Sequence, residues 1–177
     1  MSAFAPIVSN TRPMKRMSAA GQSLFSSGRS RSAPAVANGV VYVGSLDSNV
    51  YALNASTGAK LWNYTTGGVI YGSPAVVGGV VYVGSGDNMV YALRARTGGL
   101  LWRYATGGPI QWSTPAVANE VFYVGSSDYN LYALNAKTGA KLWSYTTGSI
   151  VHTSPAVVNG MVYVGSYDGN VYAFGLP

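Results

Sequence analysis

Residues 40–62, VVYVGSLDSNVYALNASTGAKLW, come back along the chain as 80–102, as 121–143 and, cut short of the final tryptophan, as 161–174. A repeat of about 40 residues constrains the fold more than any composition can, because one unit is too small to bury its own apolar face and must bury it on the next. Pro34, Pro74, Pro115 and Pro155 mark the period, and Tyr42, Tyr82, Tyr123 and Tyr163 keep it. Four units account for nearly everything after Ser32.

Each unit reads as four short strands, A to D, separated by turn chemistry. Strand A is Ser-Pro-Ala-Val or a variant, with its proline at the strand start, where a missing N–H does least harm to a ladder. Asn38-Gly39, Gly78-Gly79, Asn119-Glu120 and Asn159-Gly160 follow as two-residue hairpin turns, in which both residues take positive φ. Glu120 breaks that composition and is expected to carry strain of roughly 1–2 kcal/mol. Strand B (Val-Val-Tyr-Val-Gly in the first two units) is β-branched and aromatic. A polar turn at Asp47, Asp87, Asp128 or Asp168 leads to strand C, and Asn-Ala-x-Thr-Gly turns the chain into strand D, Lys-Leu-Trp-x-Tyr or a variant. Four antiparallel strands per unit, with no helical period, predict an all-β propeller of four four-stranded blades.

The unit Gly-x-Val-Tyr-Val-Gly-Ser-x-Asp-x-x-Val-Tyr-Ala-Leu-Asn-Ala-x-Thr-Gly-x-x-x-Trp resembles the repeat of the PQQ-binding-like, quinoprotein-type β-propellers over residues 32–174. The resemblance implies a ring of blades, usually eight, in which the strand D tryptophan docks on a neighbouring blade. Here those tryptophans are Trp62, Trp102 and Trp143. The blades are then expected at 32–71, 72–112, 113–152 and, incomplete, 153–177.

The net charge of +6 raises the question of nucleic acid. Its location answers it. Arg12, Lys15, Arg16, Arg29 and Arg31 stand in the first 31 residues with no acid, whereas the repeats are nearly balanced. Residues 1–19 thus read as a basic, solvated leader, and we expect no nucleic-acid partner. No apolar run is long enough to span a membrane, so no membrane insertion is expected. The resemblance points to a periplasmic or extracellular setting, although no secretory signal is visible.

Residues 20–31 hold a second clue. Ala20-Gly21-Gln22-Ser23-Leu24-Phe25 aligns with Thr57-Gly58-Ala59-Lys60-Leu61-Trp62, so Phe25 takes the tryptophan's place in a candidate strand D. The fourth repeat has strands A, B and C but no D. The leader strand is therefore expected to complete a last blade and remove an exposed edge. Two closures are open, and a third possibility is that the chain is a fragment of a longer protein. The chain forms a four-bladed ring alone, or two chains form a homodimer completing an eight-bladed ring, which is the expectation favoured here.

Catalysis by the superfamily's dehydrogenases implies PQQ over calcium, acidic ligands and often a disulfide of neighbouring cysteines. The chain has no cysteine, its one glutamate lies in an A–B turn, and its four aspartates share one turn position, where Asp ordinarily accepts backbone N–H bonds. His152, the single histidine, has no nucleophile or acid placed beside it by the sequence. No cofactor, PQQ included, no metal and no enzyme activity are expected.

Positions that differ between repeats are free to do something other than build a blade. Three residues before each strand A proline stand Arg31, Tyr71, Trp112 and His152, and Tyr129 and Tyr167 depart from register in the B–C turns. Antiparallel alternation puts D–A and B–C connections at one end of the blades, so these six residues form a candidate contact rim at the channel mouth. The resemblance extends to non-catalytic members, the outer-membrane assembly lipoprotein and bacterial sensor propellers. The expected function is a non-catalytic scaffold for a protein or peptide partner. The alternative is a propeller binding a small ligand or carbohydrate through the rim aromatics, and a PQQ-dependent dehydrogenase fragment is the weakest reading.

Overall fold

The computed structural model describes residues 30–175. The candidate strand D with Phe25, and the leader before it, lie outside the described residues apart from Ser30 and Arg31. Blade 1 consists of β1 (Ala35–Ala37), β2 (Val40–Gly44), β3 (Asn49–Asn54) and β4 (Lys60–Thr65). Blade 2 is β5 (Ala75–Val77), β6 (Val80–Gly84), β7 (Met89–Arg94) and β8 (Leu100–Ala105), and blade 3 is β9 (Ala116–Ala118), β10 (Val121–Gly125), β11 (Asn130–Asn135) and β12 (Lys141–Thr146). Among the described residues blade 4 has three strands, β13 (Ala156–Val158), β14 (Met161–Gly165) and β15 (Val171–Gly175). Every sheet is antiparallel in chain order. The architecture is that of an all-β propeller, as the repeat predicts.

The turns obey the chemistry read from the sequence. Asn38, Gly39, Asn119 and Glu120 all take positive φ, at 50°, 74°, 49° and 62°, so Glu120 holds the same turn as its glycine counterparts. At the C–D turn the Asn54 side chain accepts N–H bonds from Ser56 and Thr57, and Gly58 takes φ +73°. A register shift after Ala52, Ala92 and Ala133 re-aims strand D in each complete blade.

The core lies between blades. Period-2 alternation gives each sheet two unlike faces. One face of blade 1, with Tyr42, Val50 and Ala52, packs on Val81, Val83, Tyr91 and Leu93 of blade 2. Tyr82, Val90 and Ala92 pack in the same way on Phe122, Val124, Tyr132 and Leu134, and the third junction sets Tyr123, Leu131 and Ala133 against Val162 and Val164. Trp62 and Trp102 close their junctions from the outer strand, their indole N–H groups donating to the carbonyls of Ala95 and Ala136 at 2.8 and 2.9 Å. Trp143 packs on Tyr123 and Phe174. The innermost strands β1, β5, β9 and β13 touch in succession, and β1 does not pack in this manner on β13. The four blades form an arc.

Candidate functional site

The end of the arc that carries the B–C turns is organised by aspartate. Asp128 Oδ1 accepts from the backbone N–H of Asn130 at 3.0 Å, and Oδ2 accepts from the Tyr132 hydroxyl at 2.6 Å and from the Gly107 N–H of the preceding blade's D–A connection at 2.7 Å. Asp87 repeats the pattern with Met89, Tyr91 and Gly67, and Asp168 with Asn170, Tyr172 and Gly148. Burial pushes the Asp128 carboxyl up, but the hydrogen bonds from Tyr132, Asn130 and Ser126 outweigh it and hold the group below its usual range. The partner answers in the opposite sense: burial, then the bond and charge of Asp128, push the Tyr132 hydroxyl up to about 12. These carboxylates are joints between blades. The turn-aspartate reading of the sequence missed the tyrosine half of each joint, whose signal is the spacing Asp-x-x-x-Tyr in every repeat.

At this end of the blades the candidate rim falls into two groups, with Tyr129 apart from both. Tyr71 and Trp112 are in ring contact, their centroids 4.7 Å apart and their planes inclined by 33°, and the Arg31 guanidinium lies 5.6 Å from the Trp112 ring centre. The residues that precede the first strands of blades 1, 2 and 3 thus meet in a single cluster. Trp112 is 42% exposed and sits at φ +63°, while the Ser113 N–H donates to the Gln111 carbonyl at 2.7 Å across it. A positive φ spanned by an i→i+2 bond is the rare, strained form of the γ-turn. For a bulky residue such backbone costs of order 1–3 kcal/mol and persists only where its surroundings enforce it. They do so here through a run of loop bonds. The N–H groups of Ala33, Ser73 and Thr114 donate to the hydroxyls of Ser73, Thr114 and Ser154, each on the next blade.

His152 forms the second group. Its ring stands edge-on to Tyr167 with centroids 5.4 Å apart, and its Nε2 is 2.9 Å from Ser127 Oγ. Burial lowers its pKa, which favours the neutral imidazole. The sequence placed no nucleophile beside His152, and the fold corrects this by bringing Ser127 from the neighbouring blade's B–C turn. A hydroxyl and an imidazole at this distance are the first two parts of a nucleophile–base pair. Among the described residues no carboxylate is bonded to the other ring nitrogen. Tyr129, at φ +75° and exposed, occupies the corresponding B–C turn of blade 3.

A feature that the sequence did not signal lies at the opposite end. An apolar groove of about 560 Å³ opens between blades 2 and 3, lined by Val77, Val80, Leu101, Val117 and Lys137 among others. Most of its walls are ordinary repeat positions, and Glu120, which breaks the turn composition, also lines it.

The family described as outer membrane protein assembly factor BamB matches residues 14–114 and 87–175. The chain belongs to this family. The BamB-like match begins within the leader, ahead of the first described strand. None of the curated proteins compared with the chain matches it. Among solved structures, BamB from Moraxella catarrhalis is 25% identical with a TM-score of 0.71, over 77% of this chain and 46% of that one. The computationally designed Ika4 protein is 21% identical with a TM-score of 0.74, over 89% of this chain and 99% of that one. Quinohemoprotein alcohol dehydrogenase from Comamonas testosteroni is 22% identical with a TM-score of 0.70, over 78% of this chain and 29% of that one. The last two likenesses concern the fold alone. The chain spans less than half the length of the Moraxella BamB chain.

Proposed function

We propose that the chain is a non-catalytic propeller scaffold that grips a protein or peptide on the rim formed by Arg31, Tyr71, Trp112, Tyr129 and Tyr167. The observation that carries this reading is Trp112: an exposed indole held in strained backbone, with Arg31 and Tyr71 drawn onto it from two other blades. Trp, Tyr and Arg are the residue types that dominate binding hot spots, and pre-paid ordering of a side chain lowers the cost of association. Membership of the BamB-like family supports the same reading. An extracytoplasmic setting belongs to the proposal.

The reading leaves out PQQ and catalysis. What supports this is the employment of the acids: Asp47, Asp87, Asp128 and Asp168 are each bonded to a strand C tyrosine and a turn N–H, and Glu120 lies at the other end of the blades. Among the described residues no group of three or more histidines or acids stands where a metal ion could be held. This donor set does not fit a calcium–quinone pair.

A random peptide library displayed on phage and selected on the immobilised chain tests the proposal. Peptides enriched on the native chain are expected to lose most of their binding to the Trp112→Ala and Arg31→Ala variants, and enrichment indifferent to both overturns it. The aromatic contact of Tyr71 with Trp112 favours a second reading, a planar small ligand or carbohydrate. Binding from a glycan array that collapses completely in the Tyr71→Ala variant would select that reading instead.

A further inference from the structure

The groove between blades 2 and 3 differs from its counterparts at the other junctions. The last strand A residue walling it is Val77, where blades 1 and 3 have Ala37 and Ala118. Its hairpin turn carries Glu120, where blades 2 and 4 have Gly79 and Gly160, and its C–D turn carries Lys137, where blade 2 has Arg96. Glu120 holds φ +62° at a position that the other three repeats give to glycine, so the backbone is strained on account of its side chain. Strain of this kind gathers at ligand clamps.

The chemistry of the groove narrows its occupant. Val77 and Leu101 line it while 46% and 42% exposed, and Val80 and Val117 face the same space. The polar atoms of the junction are already employed, since the Tyr82 hydroxyl and the Trp102 N–H both donate to the Ala136 carbonyl, at 3.0 and 2.9 Å. A sugar or a nucleobase would leave its hydrogen-bonding groups unmatched against such walls. Charge comes from Glu120 and Lys137, one of each sign. They stand on adjoining turns, with the Ala136 N–H donating to the Glu120 carbonyl at 2.8 Å. Among the described residues neither charged group has a partner. A volume of about 560 Å³ lies within the ordinary range of ligand pockets.

We propose that this groove binds a short peptide of apolar residues by its two ends, the ammonium on Glu120, the carboxylate on Lys137 and the side chains against Val77, Leu101 and Val117. The apolar walls supply most of the affinity, and the two charges fix the orientation. An alkyl amphiphile with a single charged head would answer one of these charges and meet repulsion from the other. The site lies at the opposite end of the blades from the rim of Trp112 and does not depend on the role proposed there.

Equilibrium dialysis of the full chain against trileucine and its capped forms, up to millimolar concentration, tests it. Trileucine with both ends free is expected to bind, and N-acetyl-trileucine and trileucine amide are each expected to bind about threefold to fivefold more weakly, the range of an exposed ion pair. Glu120→Gln is expected to remove the effect of the acetyl cap alone, and Lys137→Gln that of the amide cap alone. Both side chains are exposed, so both variants are expected to fold as the native chain does. Four results overturn the proposal: no binding of trileucine, binding indifferent to both caps, cap effects unchanged in both variants, or decanoate or decylammonium held as tightly as trileucine.

Discussion

The indole of Trp102 lies on Gly139 of the next blade so closely that a Cβ at Gly139 would stand 2.7 Å from the ring. The same indole donates its N–H to the Ala136 carbonyl at 2.9 Å, three residues before that glycine. One side chain thus fixes both the packing and the polar register of a junction. Removing a buried tryptophan costs roughly 3–5 kcal/mol, so Trp102→Ala is expected to fall in that range by urea unfolding. A loss below about 1 kcal/mol would remove the docking role. Trp62→Ala, on a half-buried ring, moves in the same direction.

Tyr132→Phe leaves the ring in place and takes one bond from Asp128. A hydrogen bond to a charged group contributes roughly 1.5–3 kcal/mol when buried, and partial exposure reduces this to about 1 kcal/mol. Asp128→Ala removes the acceptor of Gly107, Asn130 and Tyr132 together and is expected to cost more than Tyr132→Phe. Equal losses, measured by thermal unfolding at pH 7, would mean that the cross-blade bond contributes nothing.

The pH dependence follows from the same joints. The carboxyls of Asp47, Asp128 and Asp168 are held below their ordinary value of 3.8 by hydrogen bonds that outweigh burial. A lowered folded-state pKa gives stability that is present above the ordinary value and is lost as pH falls through the folded one. Acid unfolding is therefore expected to steepen below pH 3.8. At the other limit Tyr51 and Tyr132 are pushed up to about 12, first by burial and then by their aspartates. Stability is complete below the ordinary value of 10 and is lost as pH rises towards about 12. Tyrosinate absorbance at 295 nm is expected to show a late-titrating fraction, and a single titration near 10 in the folded protein would count against the joints.

His152 is the only histidine, so one resonance reports it. Burial lowers its pKa, so the nuclear magnetic resonance titration midpoint is expected below 6.5, and stability contributed by the neutral form is lost as pH falls through that midpoint. Ser127→Ala removes the 2.9 Å partner without unburying the ring, so the midpoint is expected to stay below 6.5. A midpoint above 6.5 in the native chain would contradict the burial.

Backbone strain at Trp112 has its own signature. Glycine accepts φ +63° without penalty whereas alanine does not, so Trp112→Gly is expected to be more stable than Trp112→Ala by about 1 kcal/mol in chemical unfolding. The reverse order would mean that the γ-turn relaxes once the indole is gone.

Much of this molecule is legible along the chain. Two-residue turns such as Asn38-Gly39, alternating strands such as VVYVG and the 40-residue return are local facts, fixed by φ preferences and by the period of a pleated strand. They give the blade and its repetition. Subtracting the repeat from itself also isolates Arg31, Tyr71, Trp112 and His152, because a position unlike its counterparts is visible in one dimension. What sequence cannot display is which of these meet. Arg31 and Tyr71 reach Trp112 across three blades, and Ser127 arrives at His152 from a turn 25 residues earlier. Those distances depend on the angle at which one sheet lies on the next, set by close packing of Gly44 on Ile70 and its counterparts. The sequence by itself determined the strands, the turns and the faces. Only the tertiary structure decided which residues share a rim, because the angle between blades is a property of packed surfaces and not of any one repeat.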